Sequence, residues 1–206
     1  GIESMMKAAE ETLPVSARVR WGGQSKEYLE SGSSLYLTFG LALLIVFLVL
    51  AALFESFINP MMILVTVPLA MTGALIGLHI YGSSVNVFTQ IGAILLIGLS
   101  AKNGVLIVEF ANQLRDRGQD IREAVLDAAT VRFRPILMTS AATTFGALPL
   151  LLGTGAGWES RQPIGIVIVF GVAISALLTL FIVPALYVLF ARKTSSPQAV
   201  SRLIEQ

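Results

Sequence analysis

Cysteine is absent from the 206-residue sequence, histidine occurs once, and charged residues make up only 13% of the chain. The lack of cysteine excludes disulfides and thiolate metal sites. Soluble domains carry about 25% charged residues, so the low charged fraction and the 55% hydrophobic content indicate an integral membrane protein. The formal net charge is only +1, which gives no reason to expect a nucleic-acid partner.

The patterns of common enzyme sites are also missing. The sequence has no Walker loop, no His and Asp set at metal-ligand spacing, and no nucleophile–base pair. We therefore expect a protein that is not an enzyme and needs no cofactor. The single histidine, His79, lies near the end of a predicted span, where an interfacial polar side chain is the simpler interpretation.

Five apolar runs are long enough to cross a bilayer as helices, which takes about 20 residues. They predict spans at residues 35–54, 61–81, 87–112, 135–152 and 163–191. A capping-box pattern from Asp120 to Glu123 predicts a separate cytoplasmic helix over residues 120–131, after which Pro135 opens the fourth span. Residues 192–206 are polar and predict a tail outside the membrane.

The first 34 residues differ from the rest of the chain. A helical stripe of apolar residues covers residues 1–13, and residues 15–21 alternate with the period of a strand. One helix and one strand cannot form a core, so this piece is typical of the end of an α+β domain that begins upstream. The predicted fold class is therefore a membrane all-α protein with five transmembrane helices, preceded by a short α+β tail and linker.

Basic residues near the spans fall mostly on one side of this topology. That side carries Arg115, Arg117, Arg122, Arg132, Arg134, Arg192, Lys193 and Arg202, whereas the other carries Lys7, Arg18, Arg20, Lys26 and Arg161. Cytoplasmic loops carry the excess of Lys and Arg in membrane proteins. We therefore expect the N-terminus of the chain to lie outside the cytoplasm and its tail to lie inside.

Lys102 is the most informative residue, because it lies near the middle of the third span. An ammonium group there costs between ~3 and ~15 kcal/mol unless it has a partner or a water-filled cavity. Glu109 is two helical turns away, about 10 Å along the axis, which is too far for an ion pair. Lys102 is then neutral, or paired with a carboxylate from another segment or chain, or merely solvated in an aqueous crevice. The second interpretation is favoured.

Other polar and small residues inside the spans allow two interpretations each. Hydroxyls occur in the fourth span at Thr139, Ser140, Thr143 and Thr144, and they predict either a polar relay or bonds to carbonyls of their own helix. Asn103 needs partners in hydrocarbon, and Arg132 and Arg134 predict either membrane anchoring or a proton entry. Glycines in the second and third spans, at Gly73, Gly77, Gly92, Gly98 and Gly104, predict close helix contacts.

Four segments together resemble a known family. They are residues 98–110 (GLSAKNGVLIVEF), 132–140 (RFRPILMTS), 53–56 (LFES) and 153–157 (GTGAG). These segments are similar to the C-terminal half of resistance-nodulation-division (RND) efflux pumps, and most of all to the hydrophobe/amphiphile multidrug branch. The similarity extends over nearly the whole chain.

This resemblance implies that the spans are the last five of a twelve-helix bundle and that residues 1–34 end a periplasmic porter subdomain. It implies that Lys102 faces an aspartate pair in the N-terminal half of the transporter. It also implies that Thr139 is a relay residue, that Arg132 is a cytoplasmic-side relay residue and that Asn103 takes part in the proton relay.

The function implied by the resemblance is proton-driven antiport of hydrophobic and amphiphilic drugs across a bacterial inner membrane. The chain would be multi-pass, with a periplasmic N-terminus and a cytoplasmic C-terminus, and the proton gradient would replace any cofactor. The implied partners are the rest of the transporter, two further copies in a homotrimer, a periplasmic adaptor, an outer-membrane channel and lipid. Two alternatives remain: an RND exporter of lipids, metals or proteins, and a non-transporting membrane scaffold.

Overall fold

The computed structural model describes residues 24–190 and, nearer the N-terminus, positions 5, 7–9 and 12, which are helical. Within residues 24–190, side chains are described from Leu37 onwards. The strand predicted over residues 15–21 and the tail predicted over residues 192–206 lie outside this part of the chain. The helices are α1 (Gln24–Phe54), α2 (Ile58–Leu64), α3 (Thr66–Ile80), α4 (Val87–Asp116), α5 (Ile121–Leu152) and α6 (Trp158–Phe190).

Five stretches of the described chain have the length and composition to cross a membrane. They are Leu37–Phe54, Ile58–Ile80, Val87–Asp116, Ile121–Leu152 and Trp158–Phe190. The predicted all-α membrane fold with five transmembrane helices is confirmed. The observed helices run past several predicted bounds, most clearly at α1, which begins at Gln24 within the stretch expected to be a linker.

The second span is interrupted, whereas the sequence predicted one helix over residues 61–81. It begins earlier, at Ile58, and α2 and α3 meet at a turn at Val65. Pro68 explains the break, because it has no N–H to donate to the carbonyl of Leu64 and its ring crowds that carbonyl. The hydroxyl of Thr66 donates to the carbonyl of Ile63 at 2.7 Å and satisfies one group beside the turn.

The predicted cytoplasmic helix and the fourth span are one continuous helix, so their separation at Pro135 was wrong. Helix α5 runs from Ile121 to Leu152 with Pro135 and Pro149 inside it. A proline removes one backbone hydrogen bond from a helix, and membrane helices tolerate that loss. Asp120 is the N-cap, as predicted, and its carboxylate accepts from the amide of Arg122 at 3.3 Å.

Helix α6 is the centre of the bundle, and glycines set its distance from α3. A Cβ added at Gly73 would approach Ile174 at 2.8 Å, and one added at Gly77 would approach Phe170 at 2.6 Å. The close contact predicted for these two glycines is confirmed. Their missing side chains let the backbones of α3 and α6 approach.

Glycines also join α6 to α4 and α5. Gly92 lies against Val167, Gly171 against Leu96, and Gly165 against the backbone of Leu151. Of the two other glycines predicted to mark contacts in the third span, Gly104 packs on Ile63 and Thr66, whereas a Cβ at Gly98 would meet nothing within 4 Å. The prediction was therefore right for Gly92 and Gly104 and wrong for Gly98.

Candidate functional site

Lys102 lines a small crevice between α4, α5 and α6 and lies halfway along α4. The crevice is lined by Leu99, Lys102, Asn103, Thr139, Ser140, Thr143 and Val172. It leaves a cavity volume of about 10 Å³, close to the smallest that holds one water molecule. Three of the four predicted site residues, Lys102, Asn103 and Thr139, are thus brought together from two helices.

The position of Lys102 follows from the helical period of α4. Its neighbours Ala101, Asn103 and Gly104 are buried, whereas Lys102 is exposed on the face that this chain leaves open. Within residues 37–190, no side chain forms an ion pair or a hydrogen bond with Lys102. Glu109 is exposed and accepts only from Gln113, at 3.5 Å. The carboxylate expected for Lys102 is therefore not found in the described part of the chain.

Asn103 has a specific partner across the helix interface. Its side-chain Nδ2 donates to the hydroxyl oxygen of Ser140 at 3.3 Å. Both residues are buried, with 3% and 6% of their surface exposed. The bond joins α4 to α5 directly beside Lys102 and fixes the amide of Asn103 in the crevice wall. The sequence identified both residues as polar, but it did not pair them, because they are 37 positions apart.

Two threonines of α5 that line the crevice, Thr139 and Thr143, donate hydrogen bonds to carbonyls of their own helix. The hydroxyl of Thr139 donates to the carbonyl of Ile136 at 3.2 Å, and that of Thr143 donates to the carbonyl of Thr139 at 2.8 Å. This is the bonding that the simpler of the two sequence interpretations predicted. Because each hydroxyl oxygen keeps lone pairs after donating, Thr139 and Thr143 present acceptor groups to the crevice.

Arg132 is not part of the crevice. It lies on α5 with its guanidinium carbon 4.7 Å from the centre of the Phe110 ring on α4. Phe110 is eight residues after Lys102, which is about 12 Å along the helix. The Nε atom of Arg132 is buried and has no hydrogen-bond partner among the described residues. Arg132 is thus held by a cation–π contact, two helical turns towards the predicted cytoplasmic end.

A polar cluster that the sequence interpretation missed joins α4 to α6 near the same end. The hydroxyl of Tyr187, a fully buried residue, donates to Oδ1 of Asn112 at 2.6 Å and accepts from Nη1 of Arg115 at 3.3 Å. The guanidinium of Arg115 also lies 5.9 Å from the centre of the Tyr187 ring. The one available sequence signal was Asn112, a polar residue at the end of the predicted third span.

Tyr187→Phe is expected to lower the free energy of unfolding by about 1–3 kcal/mol, because the substitution leaves the buried oxygen of Asn112 without its donor. The measurement is denaturant unfolding in detergent. Tyr81→Phe is the matched control, because Tyr81 is exposed and its hydroxyl has no partner among the described residues. Equal stability of the two variants would show that the cluster contributes nothing.

No group of three or more His, Cys, Asp or Glu side chains suited to a metal ion occurs in the described part of the chain. Together, the polar residues form three separate groups along α4: the crevice at Lys102, the Arg132–Phe110 contact and the Tyr187 cluster. Only the first is open to an outside partner in mid-span. It can bind a carboxylate or a water, since it offers an ammonium group, an amide and hydroxyl oxygens.

Two comparisons with known proteins bear on this geometry. Residues 2–191 match the model of the AcrB/AcrD/AcrF family. The chain is also 43% identical, over 190 residues, to an uncharacterized transporter of Haemophilus influenzae. That alignment covers 89% of this chain but 18% of the relative, so the chain spans less than a fifth of the length of the protein it matches. The family match extends over nearly the whole chain, and the protein is therefore a member of the AcrB/AcrD/AcrF family of membrane transporters.

Proposed function

We propose that this chain is the lysine-bearing part of a proton-driven exporter of hydrophobic and amphiphilic compounds. The observation that supports this most is Lys102, a cation in mid-span that lines a polar crevice and has no carboxylate partner in the described chain. A charge at that depth is costly unless another part of the protein pairs with it. Because the chain spans 18% of its relative, the remainder of the transporter has ample length to supply the partner.

In this proposal an aspartate pair from the N-terminal half occupies the open face of the crevice. The ammonium of Lys102 attracts the ionised carboxylates, and the oxygens of Thr139 and Thr143 accept hydrogen bonds from its remaining N–H groups. When one aspartate binds a proton, its charge disappears and the attraction to Lys102 weakens. The helices then repack, which couples proton entry to the conformational cycle of the transporter.

Asn103 and Arg132 have supporting roles in the proposal. The bond from Asn103 to Ser140 holds α4 and α5 together beside Lys102, so the crevice keeps its shape when the charge pair breaks. Arg132 lies nearer the predicted cytoplasmic end, and we assign it to the cytoplasmic side of the proton route. Its buried, unpartnered Nε supports this assignment, because such a group calls for a water or an acceptor.

The orientation of the chain in the membrane and its partners are part of the same proposal. The bias of basic residues supports a periplasmic N-terminus and a cytoplasmic C-terminus in the bacterial inner membrane. The proposed partners are the N-terminal half with its aspartates, two further copies in a homotrimer, a periplasmic adaptor, an outer-membrane channel and lipid. Drug contacts are assigned to periplasmic parts of the transporter, so no residue of this chain is proposed to bind the substrate.

The full-length transporter in liposomes tests the proposal. With an imposed proton gradient, an amphiphilic dye is expected to move against the direction of proton flow, and collapsing the gradient with an ionophore is expected to stop it. Parallel assays with a lipid and a divalent metal as substrates distinguish the other exporter classes. Transport of none of these compounds under any gradient would favour the scaffold interpretation instead.

A further inference from the structure

Two hydroxyls deep in α6 have no partner among the described residues. The Oγ of Ser175 and the Oγ1 of Thr179 are buried without a hydrogen bond among the described residues, and both residues have 0% of their surface exposed. Buried polar groups in proteins are nearly always hydrogen-bonded to protein or to ordered water. Two unpartnered hydroxyls one helical turn apart therefore point to a small polar ligand.

These hydroxyls lie on the helix face that reaches the Lys102 crevice. Val172 lines the crevice, and Ser175 and Thr179 follow it at three and seven positions. Residues at this spacing share one face of an α-helix. The polar pair is therefore a continuation of the crevice wall along α6.

The helix register places the pair at the depth of Lys102. Tyr187 bonds to Asn112, which is 75 positions earlier, and the contacts of Gly171 with Leu96 and of Val167 with Gly92 have the same spacing.

Because the register is constant, Ser175 lies level with Ser100, and Thr179 lies level with Gly104. Lys102 and Asn103 come between these two levels.

We propose that Ser175 and Thr179 hold a buried water molecule that extends the crevice into the interface of α4 and α6. An internal water needs two to four polar partners, and the two unpartnered hydroxyls supply the minimum number. Its assignment to the proton route rests on the proposed function, whereas the water site itself does not.

The competing arrangement is local to the helix. A Ser or Thr hydroxyl can turn towards the carbonyl four residues earlier, which here means the carbonyls of Gly171 and Ser175. That geometry is seen at Thr143, whose hydroxyl donates to the backbone carbonyl of Thr139. The two arrangements predict different effects for the same substitutions, since only the first includes a water.

The experiment compares the full-length transporter with its Ser175→Ala/Thr179→Val double variant. We expect a map that resolves internal waters to show a density peak within hydrogen-bond distance of both hydroxyl oxygens. We expect the double variant to lack the peak and to melt at a lower temperature. Thr66→Val is the control, because Thr66 is equally buried but its hydroxyl already donates to the carbonyl of Ile63 across the turn between α2 and α3, and this variant should keep the peak.

A map that shows other internal waters but none at this pair would overturn the proposal, as would a double variant that melts at or above the temperature of the parent. A transport assay on the same variants addresses the proton route separately. The proton-gradient dependence of efflux is expected to shift in the double variant and not in Thr66→Val. If Lys102 proves dispensable for transport, the relay assignment fails, but the density peak still decides the water site.

Discussion

Lys102→Met is expected to abolish energy-dependent efflux by the full-length transporter. Methionine keeps the length and the apolar stem of the lysine but removes its charge, so the crevice of α4, α5 and α6 no longer attracts a carboxylate. Protonation of the partner carboxylate would then no longer change an electrostatic attraction between the helices. Drug accumulation in cells carrying the variant should match that in cells with no transporter.

Leu95→Met is the matched control for this experiment, because Leu95 is a half-exposed apolar residue on the same helix. Expression and oligomeric assembly are measured in parallel for both variants, so that lost efflux is not confused with lost protein. Efflux retained by Lys102→Met would make Lys102 a solvated lysine in an aqueous crevice. The coupling assignment would then have no support from this chain.

Gly165→Val is expected to destabilise the bundle by about 3 kcal/mol, near the upper end of the usual cost of overpacking. A Cβ at Gly165 would lie 2.7 Å from the backbone nitrogen of Leu151 and 2.9 Å from the carbonyl carbon of Leu150. Backbone atoms of a packed helix cannot rotate away as a side chain can. The crossing of α5 and α6 must therefore open to admit the valine.

Gly40→Val provides the comparison, since a Cβ at Gly40 on α1 meets nothing within 4 Å. Glycine and valine differ by only a few tenths of a kcal/mol in helix propensity, so this variant should unfold almost as the parent does. Denaturant titration of both variants in the same detergent measures the difference. Equal losses at the two positions would mean that the crossing is not as tightly packed as its geometry indicates.

The five spans could be predicted from the sequence because hydropathy and length decide them locally. The same local reasoning predicted no break at Val65 and a break before Pro135, and both predictions were wrong. Both errors concern the effect of a proline on its helix. Pro68 ends α2 a turn before it, whereas Pro135 is absorbed within α5. Which outcome occurs depends on what surrounds the carbonyl that a proline leaves free, and one helix's sequence does not contain that information.

The site could be predicted in part for the same reason. A charge in mid-span is visible in the sequence, so hydropathy alone identifies Lys102 and the lack of a nearby carboxylate. The pairing of Asn103 with Ser140 and that of Asn112 with Tyr187 depend on how helices pack, and packing brings together residues 37 and 75 positions apart. The distance between Arg132 and the crevice likewise required the helix geometry.

Because α5 is continuous through Pro135, it is longer than the membrane is thick. Its 32 residues extend over about 48 Å, whereas the hydrocarbon core of a bilayer is about 30 Å thick. Ile121 lies roughly 28 Å from Ser140 along the axis of α5. If α5 tilted by about 10° about the crevice, its Ile121 end would move by roughly 5 Å. A small change of angle beside Lys102 would therefore become a larger displacement at the predicted cytoplasmic surface.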